Sequence, residues 1–381
     1  MILEKSLGPF HVMHVIDSLS IGGAERMLVS LVNSIDPKFY STSVCVTRNG
    51  LALANEIRPN IPVVELKRRW SFDPMGFLRL REYSKRQKVD LYHAHGRSTF
   101  QFLLTAKILG FINSPILLHD HFGDIEINQN IPAWFSLFGR QSSIAYYVGV
   151  YEKLANWAIK AGLSKDRVTV IGNALDMKRV QNYPELDLHQ NLKISDNQKI
   201  GIMIGNLRPA KGLDLLIKAY SKCHFDNPPI MVIVGDRIDN DYVESCIKQL
   251  KLQELEEKFI FVGKKSNVVS WMKGADFGVM PSRSESGPLV LIEMMGCGLP
   301  IVAFNVGNIS EIASKSLPNS FAKPENTSEL SKLLREISIS SKEELIARGT
   351  FAKQIAYQMF DIEQKLPEWY SIYQKVIEQT A

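Results

Sequence analysis

Short apolar runs that alternate with amphipathic helical stretches constrain this chain more than any other feature. That alternation is what parallel strands joined by crossover helices require. In the first half, HVMHVID, STSVCVT, IPVVEL, VDLYHAH, PILLHDH and IAYYVGV read as strands. In the second half, KIGIMIG, PPIMVIVG, KFIFVG, DFGVMP and PIVAF do the same, with GLDLLIKAYSKC, DYVESCIKQLKL, NVVSWMKGA and LVLIEMMGC as helices among them. The fold class is therefore α/β, and 381 residues fit two Rossmann-like doubly wound domains better than one core. The polar stretch 181–198 lacks apolar periodicity and carries turn formers, which makes it the expected linker. We expect a first domain over 1–185 and a second over 186–358. The segment FDIEQKLPEWYSIYQKVIEQ predicts a last helix over about 359–381, broken or kinked at Pro367.

Composition excludes several classes. No apolar run reaches the roughly 18 residues that a membrane span needs, and the N-terminal stretch lacks the pattern of a signal peptide. A cytosolic protein is expected. Cys45, Cys223, Cys246 and Cys297 are far apart with no CxxC pair, so neither a disulfide framework nor a zinc site of that type is indicated. The net charge of +5 is modest and no nucleic-acid motif is present, so nucleic acid is not an expected partner. The charge is uneven, however. Over 61–90, Lys67, Arg68, Arg69, Arg79, Arg81, Lys85, Arg86 and Lys88 outnumber the acidic residues, with Trp70, Phe72, Met75 and Phe77 interleaved. Such a stretch is either a solvated helix face with core anchors or a surface for anionic lipid headgroups at the inner face of a membrane.

The densest chemical signal is PSRSESGPLVLIEMMGCGLPIVA, residues 281–303. Ser282, Ser284, Ser286 and Gly287 form a flexible entry, Pro288 suits a first helical turn, and the following run is apolar on most faces. The first amides of that helix, at Leu289 and Val290, have no partner within the helix, and the dipole adds roughly half a positive charge, so phosphate suits them. Glu285 lies on the loop and Glu293 inside the helix. A carboxylate buried among Leu291, Ile292, Met294 and Met295 needs hydrogen-bond donors. Sugar or ribose hydroxyls would serve, and so would backbone or a lysine of the same domain.

Earlier in the same half, IGNLRPAKGLDLLIKAY reads as a strand, a cationic loop and a helix beginning near Gly212. Arg208 and Lys211 are placed to compensate two phosphates, against the alternative of simple surface solvation. In the first half, the strand ending at Asp17 runs into Gly22-Gly23 and an amphipathic helix, which permits close backbone approach to a ligand or tight strand-to-helix packing. His93 and His95, then His119 and His121, end two strands with a spacing that puts each pair on one face. A metal pair is conceivable there, but without nearby Cys a catalytic or hydrogen-bonding role is favoured. Asp236, Asp239 and Asp241 read as a solvated loop.

The spacing Glu285, seven residues, Glu293, followed by GCGLPIVA, together with GGAER after the first strand, resembles glycosyltransferase family 4, the retaining group with a GT-B fold. The resemblance covers almost the whole chain and is strongest over 199–311. It implies two Rossmann-like domains facing across a cleft, with the C-terminal helix crossing back to the first. It also implies transfer of a sugar from a nucleotide-diphosphate sugar, with retention, to a glycan or lipid-linked acceptor, without a metal ion or other cofactor. By residue, it implies Glu285 at the donor sugar, Glu293 at the ribose, Lys211 and Arg208 at the phosphates, and the backbone from Gly263 at the base. Gly22 and Gly23 go to the donor phosphate and acceptor region, and His121, with His119 as fallback, lies near the donor sugar. The chain departs from the family in having Ser286-Gly287 for the usual Gly-Phe, Asn206 for an Arg, and Tyr151 for a Ser. Family frequency points to cell-surface polysaccharide or lipid-linked oligosaccharide assembly. A nucleotide-sugar epimerase and a non-catalytic nucleotide-sugar-binding protein remain as alternatives. A dehydrogenase is disfavoured because no GxGxxG follows a strand.

Overall fold

The computed structural model describes residues 9–125, 128–132, 135 and 144–379. The chain divides into two units: Met1–Phe122, Gln129–Ala174 and Ile362–Ala381 form the first, and Gly123–Asn128 with Leu175–Asp361 the second. The division thus falls at Ala174/Leu175, ahead of the 185/186 boundary expected from the polar stretch. That stretch is not a bare linker. It takes in the end of the short helix Met177–Asn182 and the whole of Leu188–Leu192, which are capped by the Asp176 and Asp187 carboxylates. Each docks through only one or two buried apolar residues, Met177 with Val180 and then Leu188, which is too few for a readable period.

Unit 1 is built on seven parallel strands: β1 Phe10–Ile16, β2 Tyr40–Val46, β3 Val63–Glu65, β4 Leu91–His95, β5 Ile116–Asp120, β6 Tyr146–Gly149 and β7 Val168–Val170. Their order is β3-β2-β1-β4-β5-β6-β7. Unit 2 has six: β8 Ile200–Ile204, β9 Ile230–Val234, β10 Phe259–Gly263, β11 Phe277–Met280, β12 Ile301–Phe304 and β13 Phe321–Ala322, ordered β10-β9-β8-β11-β12-β13. Helices cover both faces of such sheets, so central strands are apolar throughout instead of alternating. All five residues of β9, for example, are buried. Every run read as a strand forms one. The edge strands β7 and β13 span only three and two residues and carry no run that the sequence could show.

The last helix, Ile362–Glu378, belongs to unit 1 and passes through Pro367 without ending there. A proline at this depth removes one hydrogen bond, to the Glu363 carbonyl. Burial of Trp369, Ile372, Tyr373, Val376 and Ile377 holds the turns beyond it. The expected break at Pro367 is therefore absent.

Candidate active site

Both sheets reverse their strand order once, and ligands of open parallel sheets bind outside the carboxyl ends of the strands at that point. In unit 2 the reversal lies between β8 and β11. The loop after β8 carries the turn Pro209–Lys211, and the loop after β11 runs from Pro281 to Pro288 before the helix Leu289–Gly296. The topology thus brings together two stretches some seventy positions apart in the sequence. Lys211 Nζ lies 2.6 Å from Glu285 Oε1, and Ser282 Oγ donates to the same oxygen at 2.8 Å. Glu285 is 7% exposed, so this carboxylate meets a cation and a hydroxyl largely shielded from water.

Arg283 ties the two loops together. Its backbone N–H donates to the Ala210 carbonyl at 2.8 Å, and its guanidinium to the Pro209 carbonyl at 2.7 Å. The same guanidinium forms a fork with both Asp214 oxygens at 2.8 and 2.6 Å. Burial alone would raise the Asp214 carboxyl, but hydrogen bonds from Arg283 and Tyr242 outweigh it and hold the group below its ordinary range. Arg283 is correspondingly held above its usual value by the Asp214 hydrogen bonds. Gly212 sits at φ +70°, and a Cβ there would lie 1.9 Å from the Pro281 carbonyl oxygen, so only glycine lets the loops meet. Gly307, at φ +76°, is constrained in the same way by Glu285 and Ser286, and Asn308 N–H donates to the Ser286 carbonyl at 3.0 Å.

The helix Leu289–Gly296 has Pro288 in an extended conformation at its N-cap, and no side chain caps it. Leu289 and Val290 therefore offer amides in the turn that a helix does not bond internally. Ser286 is buried, and Gly287 adjoins it on the same loop. Glu293 is 5% exposed and already has a partner within the protein. Arg208 precedes the Pro209–Lys211 turn and pairs with Asp124 at 3.4 Å, which leaves it looser than Lys211. Gly263 ends β10 at φ +71°, and its carbonyl accepts from the Gly235 N–H at 3.1 Å.

In unit 1 the reversal lies between β1 and β4. Asp17, just past β1, accepts from Arg68 Nη2 at 2.6 Å and Thr47 Oγ1 at 2.7 Å. Arg68 is thus buried, unlike most of the basic stretch in which it was counted. Burial would raise the Asp17 carboxyl, and hydrogen bonds from Thr47, Ser98 and Arg68 bring it below its ordinary range. Gly22 caps the helix Gly23–Ser34 in an extended conformation, and a Cβ on it would meet Glu25 Oε2 at 2.4 Å. Burial pushes the Glu25 carboxyl up.

Beside this loop five histidines converge: His14 on β1, His93 and His95 on β4, His119 on β5, and His121 immediately beyond. The two pairs that ended strands in the sequence are one cluster, with the His119 and His121 ring centroids 3.9 Å apart and those of His93 and His95 4.3 Å apart. Trp369 and Tyr373 of the last helix pack on it, and Tyr373 Oη lies 2.8 Å from His93 Nδ1. Desolvation lowers all five ring pKa values, that of His14 to about 3 and that of His121 to about 4, where Asp120 and Asn173 oppose the effect. The rings are neutral at pH 7.

Two family models match the chain, one on each half: Glycosyltransferase Family 4 over residues 21–179 and Glycosyl transferases group 1 over 185–350. The chain belongs to the family 4, group 1 glycosyltransferases. Among its relatives is the N-acetyl-alpha-D-glucosaminyl L-malate synthase of Bacillus anthracis, 24% identical over 305 residues and 78% of either chain. Among solved structures, Anabaena Alr3699/HepE in complex with UDP and glucose superposes with a TM-score of 0.79 at 21% identity, covering 95% of this chain and 99% of that one. A glycosyltransferase from Rickettsia africae ESF-5 gives the same TM-score at 17% identity, over 97% and 99%. The fold is GT-B, and the protein is an enzyme of the glycosyltransferase class.

Sequence reasoning placed Lys211 and Glu285 and missed the group that positions them. Arg283, Asp214 and Ser282 lie inside motifs that were quoted, yet nothing in their spacing says that Arg283 reaches back to the Pro209–Lys211 turn. Asp17 and Arg68 were missed for the same reason: one follows β1 and the other β3, and they meet only because β3, β2 and β1 lie side by side in the sheet.

Proposed function

We propose that this glycosyltransferase moves a sugar, with retention of anomeric configuration, from a nucleotide-diphosphate sugar to a hydroxyl of a glycan or lipid-linked acceptor. The observation that carries the reading is the part-buried Lys211–Glu285 contact of 2.6 Å at the strand-order reversal of unit 2, beside an uncapped helix N-terminus. The donor diphosphate takes its charge compensation from Lys211, Arg208 and the Leu289 and Val290 amides. Glu285, supported by Ser282, accepts from hydroxyls of the donor sugar, Glu293 from the ribose, and backbone near Gly263 and Ser286-Gly287 borders the nucleotide. For unit 1, family membership implies His121 toward the donor sugar and Gly22 and Gly23 toward the phosphate and acceptor. Alr3699/HepE was solved with UDP-glucose, which supports a uridine donor as the first to test.

In the reaction the bond between the anomeric carbon and the phosphate oxygen breaks while the acceptor oxygen bonds to that carbon on the same face. The acceptor proton passes to the leaving phosphate oxygen. No carboxylate is assigned as a nucleophile. Lys211, Arg208 and the helix amides are preorganised around the growing phosphate charge, so they stabilise the transition state more than the bound donor. The reaction as proposed needs no divalent ion.

The acceptor setting is cell-surface polysaccharide or lipid-linked oligosaccharide assembly at the inner face of a membrane. No helix among the described residues is long and apolar enough to cross a membrane. Support comes from unit 1, where Trp70, Phe72 and Met75 are each more than half exposed among the exposed cations Arg69, Arg79 and Arg81, whereas Phe77 is core. Incubating the chain with a panel of nucleotide sugars and bacterial lipid extract, with detection of released nucleoside diphosphate and NMR of the product anomer, tests the reading. A donor-derived α-anomer from an α-donor supports it. An isomerised donor with no acceptor consumed points to an epimerase and overturns it.

A further inference from the structure

The histidine cluster contains more nitrogen lone pairs than the proposed transfer reaction uses. His14 faces His93 across β1 and β4, and His95 faces His119 across β4 and β5, so strand register alone stacks four imidazoles in the interior of the sheet end. His14, His93 and His119 are fully buried and His95 is 4% exposed. His95 Nε2 is bonded to His14 Nδ1 at 3.1 Å, which leaves His95 Nδ1 without a partner, and neither ring nitrogen of His119 has one. A buried polar atom left unsatisfied costs about 1–3 kcal/mol, and apolar residues would fill this volume without that cost. Unpartnered ring nitrogens converging in one buried cluster point to a ligand.

We propose that His95, His119 and His121 form a binding site for a divalent transition-metal ion of the zinc class. One ring nitrogen from each of the three lies within 4.8 Å of the others. Zinc bound at 2.0–2.1 Å to each would bring the nitrogens to about 3.4 Å, so modest side-chain rotation closes the set. A donor set made only of imidazoles suits zinc, copper or nickel and not magnesium or calcium. Three histidines leave a fourth position for water or substrate. His14 supplies what a metal-bound imidazole normally has, a hydrogen bond on its other nitrogen that fixes the ring of His95. The neighbouring triple His14, His93 and His95 also converges. It is the poorer site, because His14 Nδ1 is already bonded to His95 and His93 Nδ1 to Tyr373 Oη, whereas neither ring nitrogen of His119 has a partner. His121, by contrast, is partly exposed as a residue, although its ring nitrogens are buried.

An ion held there takes His121 away from the donor sugar, so the metal lowers transfer reversibly. That consequence rests on the proposed function, whereas the binding does not.

The test uses untagged full-length chain, stripped with a chelator and titrated with Co²⁺ alone, then with Zn²⁺ in competition, in the absence of any nucleotide sugar. The expected result is one ion per chain with the visible absorption of four-coordinate Co²⁺. His95→Asn and His119→Asn abolish it, His14→Asn weakens it by about 10- to 100-fold, and His189→Asn and His224→Asn leave it unchanged. If the buried variants fail to fold by circular dichroism, His121→Asn at the rim carries the test and must lose the absorption. Absence of Co²⁺ absorption in the wild-type chain, equal affinity in the cluster variants, or loss in His189→Asn or His224→Asn overturns the site. Because no donor is present, none of these results bears on the transferase reading.

Discussion

Replacing Lys211 by Ala separates what its contact does for the fold from what it does for the reaction. The lysine side chain is 21% exposed and that of Glu285 9%, so removing the ammonium strands a nearly buried carboxylate that still accepts from Ser282 Oγ. An unpaired group of this kind costs about 1–3 kcal/mol. With roughly 2–4 °C per kcal/mol for domains of this size, Lys211→Ala lowers the melting temperature of unit 2 by about 2–12 °C. Glu285→Gln in the same chain removes the stranded charge, so the double variant recovers most of that loss. Turnover behaves differently. In the proposed reaction Lys211 faces charge that grows on the leaving phosphate, and its loss should cost on the order of 10²-fold or more in kcat whether or not Glu285 is also changed. The assays are calorimetric unfolding and release of nucleoside diphosphate with acceptor present. A double variant that recovers both stability and turnover, or a single variant with near-normal turnover, would refute the reasoning by making the pair purely structural.

Other consequences follow from the same geometry. Arg283→Ala frees the Pro209–Lys211 turn from the Pro281–Pro288 loop, and should lower kcat by about tenfold or more although Arg283 is assigned no donor contact; unchanged kinetics would show that the loops hold their positions without it. The Asp214 carboxyl is held below its unfolded value, so its stabilisation is full above that value and is lost as pH falls through the lowered one. Arg283→Ala removes the main cause of that shift, and its acid-unfolding midpoint should move to higher pH in a circular-dichroism titration; an unmoved midpoint would discount the pair. Trp70→Ser with Phe72→Ser should reduce flotation with anionic liposomes and leave melting temperature within a degree or two, since both side chains are more than half exposed; equal recovery with neutral and anionic vesicles would remove the membrane contact.

The architecture was legible because parallel strands covered on both faces read as short apolar runs between amphipathic helices, a character that β1, β4 and β5 keep although they carry buried histidines. β7 and β13 were illegible because two or three residues cannot carry a pattern. The helices at 177–182 and 188–192 were illegible because helical periodicity needs more than one or two docked residues. The helix does not break at Pro367 because the proline's cost is local, a single lost bond, while the burial of Trp369 and Tyr373 that outweighs it is tertiary. At the site, Lys211 and Glu285 were readable as residue types flanking helix starts. Their contact was not, since it depends on β8 lying beside β11. The histidines were seen as two pairs and became one cluster only when β1, β4 and β5 were set in register.

The central claim is that the donor diphosphate binds at Lys211 and the first turn of the helix Leu289–Gly296. Its most direct test is calorimetric titration of UDP, and of the other nucleoside diphosphates, into the wild-type chain and into Lys211→Met with Glu285→Gln, once circular dichroism shows the double variant folded. The account predicts saturable binding of one nucleoside diphosphate per wild-type chain and a loss of at least 1.5–3 kcal/mol, about tenfold to a hundredfold, in the double variant. Equal affinity in the two proteins would contradict it.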